Sequence, residues 1–138
     1  MRVRRGEADA RAYLKRVADG WDTDARATLA VVDAADPGAL LGAAGLHAIA
    51  WDQRMADVGY WVAAPARGRG VATRAVQLLA GWAFVTLGLE RLELRAHEDN
   101  TASHAVARRA GFAPTDAPLV DRPECIHMAD IFFARLRR

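Results

Sequence analysis

Cysteine is nearly absent from this chain: Cys125 is the single one among 138 residues. No internal disulfide can form, and no cysteine-based metal cluster can be built. No run of about 18 apolar residues occurs, so no transmembrane helix is expected. The basic start, Met1-Arg2-Val3-Arg4-Arg5, leads into no apolar stretch and does not read as a secretory signal. These absences point to the cytoplasm and to no membrane partner. An excess of one charge is also missing: 19 Lys and Arg face 17 Asp and Glu, for a net charge of +2. Nucleic-acid binders usually carry more basic excess, so none is expected as a partner. His47, His97, His104 and His127 lack metal-ligand spacing, and Glu98-Asp99-Asn100 has no His or Cys beside it. No metal is expected.

What is present is an ordinary globular composition, 52% hydrophobic and 26% charged. At this length one domain spanning residues 1–138 is expected, with apolar residues enough for one core. Residues 7–20 read as an amphipathic helix that stops at Gly20. Strands are expected over residues 26–33 and 40–49, joined by the Asp36-Pro37-Gly38 turn into a hairpin. Gly42 and Gly45 in the second strand suggest a bulge or a close backbone approach. A third strand covers residues 57–63. Residues 70–87 form the strongest helical pattern, with an apolar stripe from Ala72 to Leu87 and Gly88 as its stop. Residues 91–97 alternate, Leu92, Leu94 and Ala96 against Arg91, Glu93, Arg95 and His97, as a half-buried strand does. A short helix over 100–110 closes at Gly111, and 131–136 is a final strand. Strand–helix–strand around Gly70 implies parallel neighbours, while the hairpins are antiparallel. The fold class is therefore α/β, a mixed sheet covered by helices.

Arg67-Gly68-Arg69-Gly70-Val71-Ala72 sits between the third strand and the long helix. A glycine-rich turn opening into a helix aims backbone N–H groups and the positive end of the helix dipole at one spot, a seat for phosphate. Arg67, Arg69 and Arg74 cluster there and strengthen it. A dinucleotide fingerprint does not fit: Thr73 stands where the third glycine belongs, and the loop follows three strands rather than one. A nucleotide P-loop does not fit either, for want of Gly-Lys-Ser/Thr. The pattern Arg/Gln-x-x-Gly-x-Gly/Ala does fit, through Arg67, Gly70 and Ala72.

With that loop, Gly59-Tyr60-Trp61-Val62 before it, Asn100-Thr101-Ala102-Ser103 after it, Arg109-Ala110-Gly111-Phe112 closing the short helix, and Asp130 before the final strand, the chain resembles the GNAT N-acetyltransferase superfamily. Within it, the likeness is to the RimJ/RimL-type branch that acetylates ribosomal-protein N-termini. It covers roughly residue 26 to the C-terminus. The resemblance implies the GNAT fold, a mixed, splayed sheet flanked by helices, and acetyl-coenzyme A as co-substrate. Its pyrophosphate would lie on the N–H groups of Gly68, Arg69, Gly70, Val71 and Ala72, beside Arg67. Its pantetheine arm would enter a gap between the strands ending at 63 and 97, held by Val62 and by Asn100. Ser103 is then the candidate general acid, set against a plain first-turn role beside an Asn100 helix cap. Asp57 is the candidate base, set against an exposed strand-end carboxylate. Cys125 is not needed as a nucleophile. Tyr60 or Trp51 would line the acceptor channel, and the 50–56 loop would flank its entrance. His104 reads as a surface histidine.

The implied activity is acetyl transfer to a primary amine by direct attack, first to a protein N-terminal α-amine. A small amine, such as a polyamine, amino acid or antibiotic, is the next choice, and a non-catalytic acyl-coenzyme A sensor is the alternative of another class. Relatives of this branch begin with a strand and helix that residues 1–6 are too short to supply. The chain reads as shortened there. A homodimer partner or upstream sequence is expected to cover the strand at 26–33.

Overall fold

The computed structural model describes residues 25–116, 119 and 130–138. The helix expected over 7–20, and Glu124, Cys125 and His127, lie outside the described residues. The elements are β1 (Ala27–Val32), β2 (Leu40–Ala50), β3 (Met55–Val62), a 3-10 turn (Ala64–Ala66), α1 (Val71–Val85), β4 (Arg91–His97), α2 (Thr101–Arg109), β5 (Ala113–Pro114) and β6 (Asp130–Leu136). One mixed sheet runs in the order β1-β2-β3-β4-β6-β5. Only β3 and β4 are parallel; the other neighbours are antiparallel.

The alternation in β4 sorts its side chains between two faces. Leu92 and Leu94 join Leu46, Val58 and Phe133 on the face covered by the helices. Against them α1 buries Val76, Leu79, Ala80, Ala83 and Phe84, and α2 buries Ala107. The opposite face is polar and yet largely covered. Asp57 is 8% exposed and Glu93 2%. Glu93 and Asp130 each have a counter-charge: Arg91 Nη2 lies 2.7 Å from Glu93 Oε2, and Arg95 Nε lies 3.7 Å from Asp130 Oδ2. The Leu119 amide also donates to Glu93 Oε1 and Oε2, at 3.0 and 2.8 Å. Carboxylates held this way are not left bare in a poorly solvated site.

The helix ends follow their chemistry. Gly70, in the left-handed region at φ 75°, precedes α1. Gly88, at φ 71°, follows it, and Leu89 N–H donates back to the Ala83 carbonyl at 3.0 Å. A left-handed turn at this point favours glycine and ends the helix. Asn100 caps α2, its Oδ1 accepting from Ser103 N–H at 3.2 Å.

Gly42 and Gly45 both mark close backbone approaches, and Gly42 also adjoins an irregularity, because Val31 pairs with Gly42 while Val32 pairs with Leu40. A Cβ on Gly42 would lie 2.1 Å from the Trp61 carbonyl oxygen, and one on Gly45 2.8 Å from that of Ala27. A second irregularity in β2 falls between His47 and Ala50, where Ala48 takes φ 48°. Nothing in a lone alanine announces it.

Two outcomes follow for stability. Gly42→Ala forces β2 and β3 apart and is expected to cost about 2 kcal/mol in urea unfolding; an unchanged midpoint would contradict the register. Asn100→Ala is expected to lower the melting temperature by about 3 °C through the lost cap. A wild-type melt would show that the cap is idle.

Candidate functional site

β3 and β4 pair from Met55/Arg91 to Val58/Leu94 and then part. Beyond that point β3 stays with β2, out to Val62 opposite Gly42. β4 stays with β6, out to His97 opposite Asp130. The sheet is therefore forked. Ala63 N–H donates to the Leu41 carbonyl at 2.7 Å, toward β2. By the alternation of an antiparallel strand, the Val62 and Tyr60 N–H groups point the other way, into the fork. An extended chain laid there would meet a ready strand edge.

The mouth of α1 opens onto the same space. Gly68 and Gly70 both have φ 75°, and a Cβ on either would meet nothing within 4 Å. Their glycine character answers a backbone need and faces open room. No side chain caps the first turn, and no acidic residue lies in it. The first helical bond, Arg74 N–H to the Gly70 carbonyl at 3.1 Å, leaves the preceding N–H groups of Val71, Ala72 and Thr73 without partners in the helix. Arg67 Nε donates to the Val62 carbonyl at 3.1 Å, which ties the loop to the arm of the fork. On the far side, Gln77 Nε2 donates to the Arg109 carbonyl at 3.1 Å and holds α2 against α1.

Together these parts enclose a cleft of about 710 Å³. Of the residues expected at a coenzyme site, Val62, Arg67, Gly68, Gly70, Val71, Ala72, Asn100 and Ser103 line it. Arg69 shares the loop but is not on the wall, and neither is Asp57. Asp57 is paired in register with His47 and Glu93, one residue before the strands part, on the face away from the helices. An exposed strand-end carboxylate does not describe it, because the strand starts two residues earlier and the side chain is buried.

Trp51 and the 50–56 loop, expected beside the acceptor entrance, do not line this cleft. The Arg54 carbonyl accepts from Glu90 N–H at 2.7 Å and Arg91 N–H at 3.2 Å, so that turn is pinned to the start of β4. The length of β3, more than about 20 Å, separates it from the glycine loop. His104 is half-buried and makes two contacts. Its ring centroid lies 5.5 Å from that of Phe133, and Nε2 is 3.0 Å from the His97 carbonyl oxygen, which fastens α2 to the end of β4.

Sequence reasoning also missed a contact. The Tyr60 hydroxyl donates to Ser103 Oγ at 2.9 Å, across the fork. The available signal was parity: Tyr60 shares its face with Val58, toward the helices. Its partner is 43 positions away and could not be read from spacing. Among the described residues no group of His, Cys, Asp and Glu could hold a metal ion. No helix there is long and apolar enough to cross a membrane.

Residues 1–113 match the model of a family described as an acetyltransferase (GNAT) domain. YdaF of Bacillus subtilis, provisionally named a ribosomal N-acetyltransferase, is 39% identical over 75 residues, 54% of this chain and 41% of that protein. The chain spans less than half the length of the curated relatives it matches. Among solved structures, RimL, a ribosomal-protein α-N-acetyltransferase in complex with coenzyme A, superposes with a TM-score of 0.77 at 20% identity, covering 94% of this chain and 72% of its own. Spermidine N-acetyltransferase from Vibrio cholerae, in complex with coenzyme A and spermine, gives 0.74 at 17%, covering 91% and 73%. The forked sheet and the glycine loop are thus those of a known architecture, and the chain belongs to the GNAT acetyltransferase domain family.

Proposed function

We propose that this chain binds acetyl-coenzyme A and transfers its acetyl group to a primary amine, first of all a protein N-terminal α-amine. The observation that carries this reading is the meeting of two features in one cleft: a helix mouth with uncapped amides and a fork with unpaired strand amides. The cleft fits the coenzyme by its own chemistry. Partly positive amides and Arg67 suit a diphosphate. The Val62 and Tyr60 N–H groups suit the amide-bearing arm. The thioester supplies an activated acyl group.

The roles of the chain's own residues follow. Gly68, Gly70, Val71 and Ala72 bind through the backbone, with Arg69 adding positive charge from outside the wall. A strand N–H at the fork lies where negative charge would grow on the carbonyl oxygen. Asn100 sets the start of α2 and with it Ser103, proposed as the group that protonates the departing sulfur. Asp57, at the root of the fork on the face away from the helices, is proposed as the base for an amine arriving from that face. The choice of a protein N-terminus over a small amine leans on the YdaF match, whose name gives a ribosomal acceptor. A small amine such as a polyamine is the second reading, by likeness of fold to the spermidine enzyme.

Gly70→Asp tests the seat. Aspartate tolerates the left-handed backbone better than most residues. Its carboxylate would sit where the diphosphate belongs, and coenzyme affinity is expected to fall about 100-fold in calorimetry. Unchanged affinity would remove the helix mouth from the site. Thiol release from acetyl-coenzyme A, followed with an N-terminal peptide panel and a polyamine panel, tests the reaction. Binding without release under any acceptor would favour a sensor.

A further inference from the structure

Tyr60 and Ser103 stand on opposite arms of the fork, and both line the cleft. The contact between them is anchored at each end. The Tyr60 ring packs against the core cluster. The Ser103 backbone is fixed by Asn100, whose Oδ1 takes its N–H. Both side chains are half-buried where the hydrogen bond forms. The direction of that bond also matters. Ser103 Oγ accepts from the phenol at 2.9 Å, which leaves its own proton to point at a third atom in the cleft.

Resting on the transferase reading above, we propose that Tyr60 is the proton source behind Ser103, and that the two hydroxyls act as a relay to the leaving thiol. A proton donor works best when its acidity is matched to the group it protonates. An alkyl hydroxyl is a far weaker acid than a thiol. A phenol, with an ordinary value of about 10, stands close to the thiol value of about 8.5. The proton balance is simple. The amine nitrogen bonds to the carbonyl carbon and the carbon–sulfur bond breaks. The Ser103 hydroxyl passes its proton to sulfur while the Tyr60 hydroxyl passes its own to Ser103 Oγ. Serine ends neutral, and the negative charge rests on the phenolate. The surplus proton of the amine leaves to the base or to water, and water restores the phenol.

Tyr60→Phe removes only the hydroxyl, and Ser103→Ala removes the link. In steady-state thiol release, Tyr60→Phe is expected to lower kcat about 100-fold while KM for acetyl-coenzyme A stays within about twofold. The double variant is expected to be no slower than Ser103→Ala alone, as for members of one unit. A second readout needs no turnover. The chain holds two tyrosines, Tyr13 and Tyr60. With carbon-13 at the ring Cζ, the Tyr13→Phe spectrum, which keeps one tyrosine, assigns the Tyr60 signal. Coenzyme A is expected to move that signal in the wild-type chain and to leave it in place in Ser103→Ala. The second readout decides the matter should Tyr60→Phe unfold. A kcat for Tyr60→Phe within twofold of wild type, losses that multiply in the double variant, or a signal that moves equally without Ser103 would each overturn the relay and leave the transferase reading standing. Absence of turnover by the wild-type chain with every amine would overturn both.

Discussion

Everything else in this molecule depends on the parting of β3 and β4 after Val58 and Leu94. Two parallel strands that stop pairing in mid-sheet leave backbone donors and acceptors facing each other across a widening gap. Polar backbone groups in a largely buried setting are costly when unpaired. The fold limits that cost by keeping the outer pairs intact. β2 holds β3 to its end, and β6 holds β4 to its end. The close approach at Gly42 keeps the first pair tight, since any side chain there would strike the Trp61 carbonyl. What remains unpaired is a short strand edge facing a cleft.

The two faces of the sheet then do different work. One is apolar and packs against α1 and α2, which sets the helix mouth beside the fork. The other carries Asp57 and Glu93, both buried, and Asp130; Glu93 is held by Arg91 and the Leu119 amide, and Asp130 by Arg95. The helix side of the fork offers partly positive amides, which suit an anionic ligand. On the opposite side Glu93 and Asp130 are already paired with arginines. The side-chain link across the gap, from Tyr60 to Ser103, lies on the helix side.

Much of this was legible in the sequence, because much of it is local. Glycines at 68, 70, 88 and 111 all take positive φ, as turn and stop positions require. The alternation through residues 91–97 and the stripe through α1 mark which sides are buried. The glycine loop opening a helix marks an anion seat without reference to any neighbour. What the sequence withheld was non-local. Where the fork begins depends on the partners that β2 and β6 offer. That the Trp51 turn is far from the cleft depends on which end of β3 it occupies. The burial of Asp57 depends on the covering of a whole face. The irregularity at Ala48 sits in a residue with no conformational signature of its own. The Tyr60–Ser103 contact joins residues from separate motifs that look complete by themselves.

The central claim is that the fork and the helix mouth form one seat for one extended ligand. Amide hydrogen exchange, read residue by residue by NMR with and without coenzyme A, tests it most directly. The account predicts slowed exchange at Tyr60 and Val62 on the strand and at Val71 and Ala72 on the helix, with Leu41 and other amides of β2 unchanged. Saturation with coenzyme A that left exchange at those four amides unaltered would contradict it.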